Sequence, residues 1–505
     1  MHHKRAPTFG SIFRTDSEKL LPPRAPGSSD DPLLAALTTT QEQYIATNAQ
    51  SYKAHEEACH DFPGGNTRTV LHASPFPLTF VEGKGCELTS LDGTEYVDFL
   101  GEFTAGIYGH SNEKTATAVA VAMSKGWNYG GQISTKGNWH GRLVVTERFS
   151  PSGIELVRFT NSGTEANTMA IAASLIVTGR KTILAFKNGY YRETLSFPAS
   201  LKGVNINFPY DFVLALYNDI EGTKAVISSL AKEFIAAIIV KCVQGNGGCI
   251  VGNKDFLKFL NQTANELNAV FIVDKVMTSC LLYHGYSFEL GLRPDLVTLG
   301  KWVGGGMTFG AFGGRKDDGI MSLFDPQIGI LGHSRTFNNN IITMAASCVG
   351  IDIYNKDQME RLNPIGESLK SKIKAVLEKH GVHPPTTIEA STSPQNQESE
   401  SPFTGLESGP SLANGVAAKL QQHESGGRAK NHIWITGKGS ILCVHFSREC
   451  EMSLKALYWH HMLDHGIYMA QRGFMALNIE LGEGHVQRCV SAAEEFVVKW
   501  KQVLR

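Results

Sequence analysis

Two stretches, Ile235-Ala-Ala-Ile-Ile-Val240 and Ala269-Val-Phe-Ile-Val273, are unbroken apolar runs. That pattern belongs to strands covered on both faces. Between them Phe256, Leu257, Phe259, Leu260, Ala264 and Leu267 recur at helical spacing. Strand, helix, strand predicts a parallel pair in an α/β sheet. Leu156-Val-Arg-Phe159 reads as another strand. A helix is expected from Ser162 and Thr164, with Ala166, Met169, Ala170, Ala173 and Ile176 on its apolar face and Gly179-Arg180 at its end. Thr182-Ile-Leu-Ala-Phe186 reads as a strand, and a further one ends at Leu299.

Two regions break this alternation. Residues 1–50 read as an N-terminal extension, with Pro22-Pro23, Pro26 and Gly27-Ser-Ser-Asp-Asp31. Residues 389–430 read as a disordered insertion, polar and rich in Ser and Pro from Ser391 to Pro402. Such composition buries too little apolar surface to offset the entropy of ordering. Patterned sequence resumes at Ile433.

At 505 residues the chain is long enough for two or three domains. A net charge of -1 gives no electrostatic case for nucleic acid or an anionic membrane surface. No apolar run reaches membrane-spanning length. Nine cysteines without a CxxC pair argue against a zinc site and fit a reducing compartment. No metal site is expected, and the cytoplasm is the expected location.

The chemistry gathers where these strands end. Ligands of α/β sheets sit beyond the carboxyl ends of the strands. One apolar run delivers Lys301 to a glycine cluster, Gly304-Gly-Gly306. A lysine held partly dry becomes a nucleophilic amine of the Schiff-base-forming kind. A second run delivers Asp274, a carboxylate that needs a strong partner if buried. A protonated pyridine nitrogen is one candidate, and a structural salt bridge, with Lys275 nearby, is another. Alternation along a strand turns Lys275 away from the partner of Asp274.

Asn161-Ser-Gly-Thr-Glu-Ala166 opens a helix directly after a strand. Its free N–H groups and positive dipole end suit a phosphate, with Ser162, Gly163 and Thr164 as the cradle. An ordinary N-cap is the plainer reading, and the two are compatible. Tyr190 after Gly189 is placed to stack on a flat ring or to fill core. Gln244 is a candidate for a ring hydroxyl or a plain loop residue, and Thr336 for a phosphate contact or a turn residue. Taken together, these residues are the equipment for pyridoxal 5'-phosphate.

The order of the motifs resembles the class III, fold-type I pyridoxal phosphate aminotransferases. It is most similar to the branch holding glutamate-1-semialdehyde aminomutase and β-phenylalanine aminotransferase. The resemblance rests on Pro63-Gly-Gly-Asn-Thr-Arg68, Phe103-Thr-Ala-Gly-Ile-Tyr-Gly-His110, Arg158 to Glu165, Gly300 to Gly306, Thr336 to Asn340 and Arg472-Gly-Phe474. It implies a large domain with a mostly parallel sheet at 131–350. It also implies a small α+β domain from both chain ends, at 51–130 and 351–505, in a homodimer with shared active sites.

It further implies that Lys301 holds the cofactor as a Schiff base and shuttles protons, and that Asp274 holds the ring nitrogen. Ser162, Gly163 and Thr164 bind the phosphate, with Thr336 supplied by a second subunit. Tyr190 stacks on the ring. Arg68 grips a substrate carboxylate, and Arg472 is a second anion site. The implied reaction is transamination of a β-amino or related amino acid, with a keto acid as acceptor. An intramolecular aminomutase or racemase, and a cofactor-binding protein with weakened catalysis, are the alternatives.

Several positions depart from the family pattern. Lys241-Cys242 stands for Glu-Pro, and Lys275 for the Glu of Asp-Glu-Val. Tyr191-Arg192 stands for His-Gly, Arg335 for Gly, and Cys280 for Arg. The added positive charge predicts recognition of an extra anionic substrate group by one or more of Lys241, Lys275, Arg192 and Arg335. Arg192 and Arg335 are the foremost of these.

Overall fold

The computed structural model describes residues 31–126, 129–131, 147–191, 196–197, 207, 209–230, 234–317, 319–384, 432–447 and 451–504. The start of the N-terminal extension, the insertion at 389–430 and Arg192 lie outside the described residues.

The described part of the expected extension, from residue 31, is helical. Helix α1 (Pro32–Thr47) begins at Asp31, whose carboxylate accepts from the Leu33 N–H at 2.9 Å, with proline at the first helical position. Its Tyr44 is buried against Phe76 and Trp459 and donates to the Phe76 carbonyl at 2.9 Å. This packing explains why the stretch is ordered despite its polar composition. Helix α2 (Ala49–Asp61) leads to three antiparallel strands, β1 (Phe80–Lys84), β2 (Glu87–Ser90) and β3 (Glu95–Asp98), and then to α3 (Glu113–Ser124).

The central layer follows. Strand β4 (Leu156–Thr160) runs into α4 (Gly163–Thr178), then β5 (Thr182–Phe186) and a small hairpin of β6 (Gly189–Tyr190) and β7 (Ser196–Phe197). Next come β8 (Asp211–Ala215), α5 (Ile220–Ser228), β9 (Ile235–Val240), a second small hairpin of β10 (Val243–Gln244) and β11 (Ile250–Val251), α6 (Lys254–Leu267) and β12 (Val270–Asp274). Strands β13 (Leu296–Gly300) and β14 (Gly310–Gly314) complete the layer. Seven strands form one sheet in the order β4-β14-β13-β12-β9-β5-β8. All neighbours are parallel except around β14, which runs against both β13 and β4. Every residue of β5, β9, β12, β13 and β14 is buried, as their composition predicts.

After α7 (Ile341–Ile353) and α8 (Lys356–Lys379) come β15 (Ile433–Lys438), β16 (Ile441–Phe446), α9 (Glu451–Asp464), β17 (Ile467–Tyr468), β18 (Phe474–Ala476) and α10 (Glu483–Lys499). Strand β17 pairs in parallel with β3, so the two ends of the chain share one sheet. Helix α1 likewise packs on α9. The fold is α/β of fold type I.

Candidate functional site

The carboxyl ends of β12 and β13 are brought side by side by the register that pairs Asp274 with Thr298. Strand β13 stops at Gly300, and Lys301 then takes a left-handed φ of 55°. Such a backbone costs on the order of 1–3 kcal/mol at a non-glycine residue and persists only where its surroundings impose it. Here they do. The Trp302 indole donates to Ser279 Oγ at 2.8 Å, its carbonyl accepts from the Tyr108 hydroxyl, and the Ser347 hydroxyl donates to the Val303 carbonyl. Gly305 continues the turn with φ 64°, and a Cβ there would meet the Ala346 carbonyl oxygen at 2.1 Å. Lys301 is thereby turned out of the sheet, and its Nζ donates to the Phe103 carbonyl.

Phe103 belongs to a second strained segment. Gly101, Glu102, Phe103 and Thr104 all have positive φ, from 44° to 81°. This run bends the chain over the strand ends and carries two cationic contacts. Arg68 Nη1 lies 2.6 Å from Glu102 Oε1, with both side chains about half exposed. The Arg472 guanidinium sits 5.2 Å from the Phe103 ring centroid, and its Nη1 donates to Asn246 Oδ1 at 2.6 Å. Arg68, Lys301 and Arg472 therefore share one edge, linked through 101–104.

Asp274 is 1 % exposed, and both its oxygens accept hydrogen bonds. Its Oδ1 accepts from the Val276 N–H at 2.8 Å. Its Oδ2 accepts from Asn167 Nδ2 at 2.8 Å and from the Lys241 ammonium. Asn167 in turn accepts from the Thr298 hydroxyl at 2.7 Å. The salt-bridge partner is thus Lys241, at the end of β9, and not Lys275. Lys275 points elsewhere, its Nζ 3.5 Å from the Ser152 carbonyl, as strand alternation requires. Burial pushes the Lys275 ammonium down to about 7. Both lysines are buried, so the expectation that they meet a substrate anion is corrected. Arg335 is exposed and lines an open cavity of about 720 Å³ with Arg158, His333, Thr336 and Asn338. Cys280 is buried, and its thiol is pushed up to about 12 by that burial.

The N-terminus of α4 lies beside Gly300. A Cβ at Gly300 would approach the Gly163 nitrogen to 3.4 Å, with Val276 packed between the two. Ser162 caps the helix, accepting from the Glu165 N–H at 3.3 Å. The Glu165 carboxylate reaches back to the Asn161 N–H at 2.9 Å. Gly163 is buried, and Ser162 and Thr164 are half-buried. The Asn161 amide donates to Asn338 Oδ1 at 3.0 Å, which brings the 333–340 loop against this corner. Thr336 itself is exposed. Tyr190 is half-buried at the end of β6. Gln244 is 2 % exposed and donates to the Lys187 carbonyl at 3.1 Å, while its buried Oε1 has no hydrogen-bond partner among the described residues.

Sequence reasoning missed two members of this arrangement, Asn167 and Glu102, and gave Lys241 another role. Asn167 clamps Asp274, Lys241 neutralises it, and Glu102 holds Arg68. Asn167 had one available signal, an amide at helical spacing beside the buried Ala166, Ala170 and Ile171 of α4.

An amine on a strained turn, a buried carboxylate on the neighbouring strand and a capped helix end define a site of the pyridoxal phosphate-dependent class. The buried oxygen of Gln244 and the N-terminus of α4 fit that group. A family model for aminotransferase class III matches residues 70–385, and the chain belongs to that family. It is an aminotransferase whose cofactor is pyridoxal 5'-phosphate. It is 37 % identical to a β-phenylalanine transaminase of Variovorax paradoxus over 92 % of this chain and 96 % of that one. A crystal structure of the β-phenylalanine aminotransferase from Variovorax paradoxus superposes with a TM-score of 0.80 at 35 % identity, covering 94 % of this chain and 99 % of that one. A glutamate-1-semialdehyde 2,1-aminomutase of Archaeoglobus fulgidus is 31 % identical over 65 % of this chain and 80 % of its own length.

Proposed function

We propose that this aminotransferase takes the amino group of a β-amino acid and passes it to a keto acid. The observation that carries this reading is that Lys301 and two guanidinium groups, Arg68 and Arg472, all contact the one segment 101–104. When bound, pyridoxal phosphate supplies an electron sink beside the carbon that bears the amino group. Lys301 holds the cofactor through its amine and moves the proton at Nζ. Its strained turn keeps that amine at the strand end, where it faces the ligand and not the core. Ser162, Gly163 and Thr164 receive the phosphate on the α4 dipole. Asp274 faces the ring nitrogen, Gln244 Oε1 takes a ring substituent and Tyr190 stacks on the ring.

Arg68 receives the donor carboxylate in a bidentate contact, and Glu102 keeps its guanidinium in place until then. Arg472 takes the acceptor's distal anion. The name of the Variovorax paradoxus relative supports a β-amino donor, as does the presence of Arg68 in the Gly-Gly-Asn-Thr-Arg motif. We read the enzyme as a cytoplasmic homodimer in which Thr336 of each subunit completes the phosphate site of the other. Among the described residues no helix is long and apolar enough to cross a membrane.

The test is cofactor absorbance. A β-amino acid should bleach the visible band of the bound cofactor, and only an added keto acid should restore it. Recovery without keto acid would mean an intramolecular reaction. In Lys301→Ala the band should be absent and turnover lost, and normal turnover would remove Lys301 from its role.

A further inference from the structure

We propose that Lys241 keeps the cofactor's ring nitrogen unprotonated by neutralising Asp274. The inference rests on the reading of Asp274 as the carboxylate that faces that nitrogen. The side chains of Lys241 and Asp274 are 9 % and 0 % exposed and form a buried ion pair. Asp274 has little left to give. Its Oδ1 is taken by the Val276 N–H, and its Oδ2 is shared by Asn167 and the ammonium.

Lys241 is held by more than the carboxylate, because its Nζ also sits 5.0 Å from the centroid of the buried Tyr191 ring. Lys275, the other buried cation nearby, has its Nζ at 3.5 Å from a backbone carbonyl on the far side.

The consequence is electrostatic. A buried carboxylate alone favours a positive charge on whatever faces it. A carboxylate that already carries an ammonium does not, since a second cation beside it would be uncompensated in a poorly solvated place. The ring nitrogen therefore meets a neutral pair, and its unprotonated form is favoured. An unprotonated ring withdraws electrons less strongly, so proton removal depends more on Lys301. Lys241 acts here as a positioning residue, through Asp274.

The experiment uses the holoenzyme loaded with pyridoxal phosphate carrying 15N in the ring, read by nitrogen NMR. The wild-type resonance should lie at the neutral-pyridine position. Lys241→Met should move it to the pyridinium position, and Lys241→Arg should leave it where it was. A pyridinium resonance in the wild type overturns the inference, as does an unmoved resonance in Lys241→Met. If Lys241→Met fails to fold, the wild-type position alone decides. Asp274→Asn separates the two readings. Made in the Lys241→Met background, that change should return the resonance to the neutral position; a pyridinium resonance that survives it rejects Asp274 as the nitrogen's partner, whereas a protonated wild-type ring that loses its proton in Asp274→Asn rejects only the role of Lys241.

Discussion

Lys275 is an expensive side chain to bury. It is 1 % exposed and has a weak carbonyl partner. Loss of hydration lowers its pKa from 10.5 to about 7, an effect that Cys242 opposes. Between those values the unfolded chain binds a proton that the folded chain does not, so stability rises with pH across that window. Below about pH 7 both states are charged and the whole penalty stands. Lys275→Met should therefore melt higher than wild type, with the largest gap below neutral pH and a smaller one as pH nears 10. Thermal melts at several pH values check this, and a gap independent of pH would show that packing and not charge is responsible. Arg68 makes the opposite case, since its charge is half exposed and its pair with Glu102 adds little to stability. Its worth lies in the ligand. A charge-assisted contact of about 1.5–3 kcal/mol means that Arg68→Ala should weaken donor use roughly ten- to a hundredfold. Steady-state kinetics should show this with the cofactor spectrum unchanged, and unaltered donor kinetics would shift the carboxylate site to Arg472.

At the level of elements, the site depends on how closely β14 supports the start of α4. A Cβ at Gly310 would lie 2.1 Å from the Ser162 carbonyl oxygen and 2.3 Å from Thr160 Oγ1. Gly310→Ala must push the capping segment outward, and overpacking of this kind costs about 1–3 kcal/mol. Cofactor affinity should fall by roughly tenfold or more while far-UV circular dichroism stays unchanged. Equilibrium dialysis against pyridoxal phosphate measures it, and undiminished affinity would mean that the cradle does not rely on this contact. The strand before α4 and its capping serine were legible because their signals are local: an apolar run, then Ser-x-Thr, then helical spacing. The left-handed run at Glu102, Phe103 and Thr104 was not. Nothing in those residue types favours positive φ, and the conformation is imposed by contacts with Lys301 and Arg68 that are remote in the chain.

For the whole molecule, the proposed dimer makes a prediction about mixed subunits. If Thr336 acts on the partner's phosphate site, Lys301→Ala and Thr336→Glu homodimers should each be inactive. A hybrid dimer then has one site with an intact lysine from one chain and an intact threonine from the other. Random exchange should restore about a quarter of the sites, as two-fold symmetry requires. Activity assays after subunit exchange would detect this; no recovery would place Thr336 in its own subunit's site, and an active Thr336→Glu homodimer would place it in none. The joining of the chain ends belongs to this scale too. Strand β17 beside β3, and α1 on α9, bring residues more than 350 positions apart into one layer.

What the sequence alone determined is the set of local commitments. Apolar runs became buried strands, Ser162 became a helix cap, and Asp274 and Lys301 came to rest at adjacent strand ends. These follow from periodicity and from the rule that parallel strands end on one side. Tertiary structure alone decided the partners. The departures from the family pattern read as surplus positive charge available to a substrate, yet the fold spends Lys241 on Asp274 and buries Lys275. The reason is that a charge acts through its distance to other charges and its exposure to water, and both are set by segments that meet only in the folded chain.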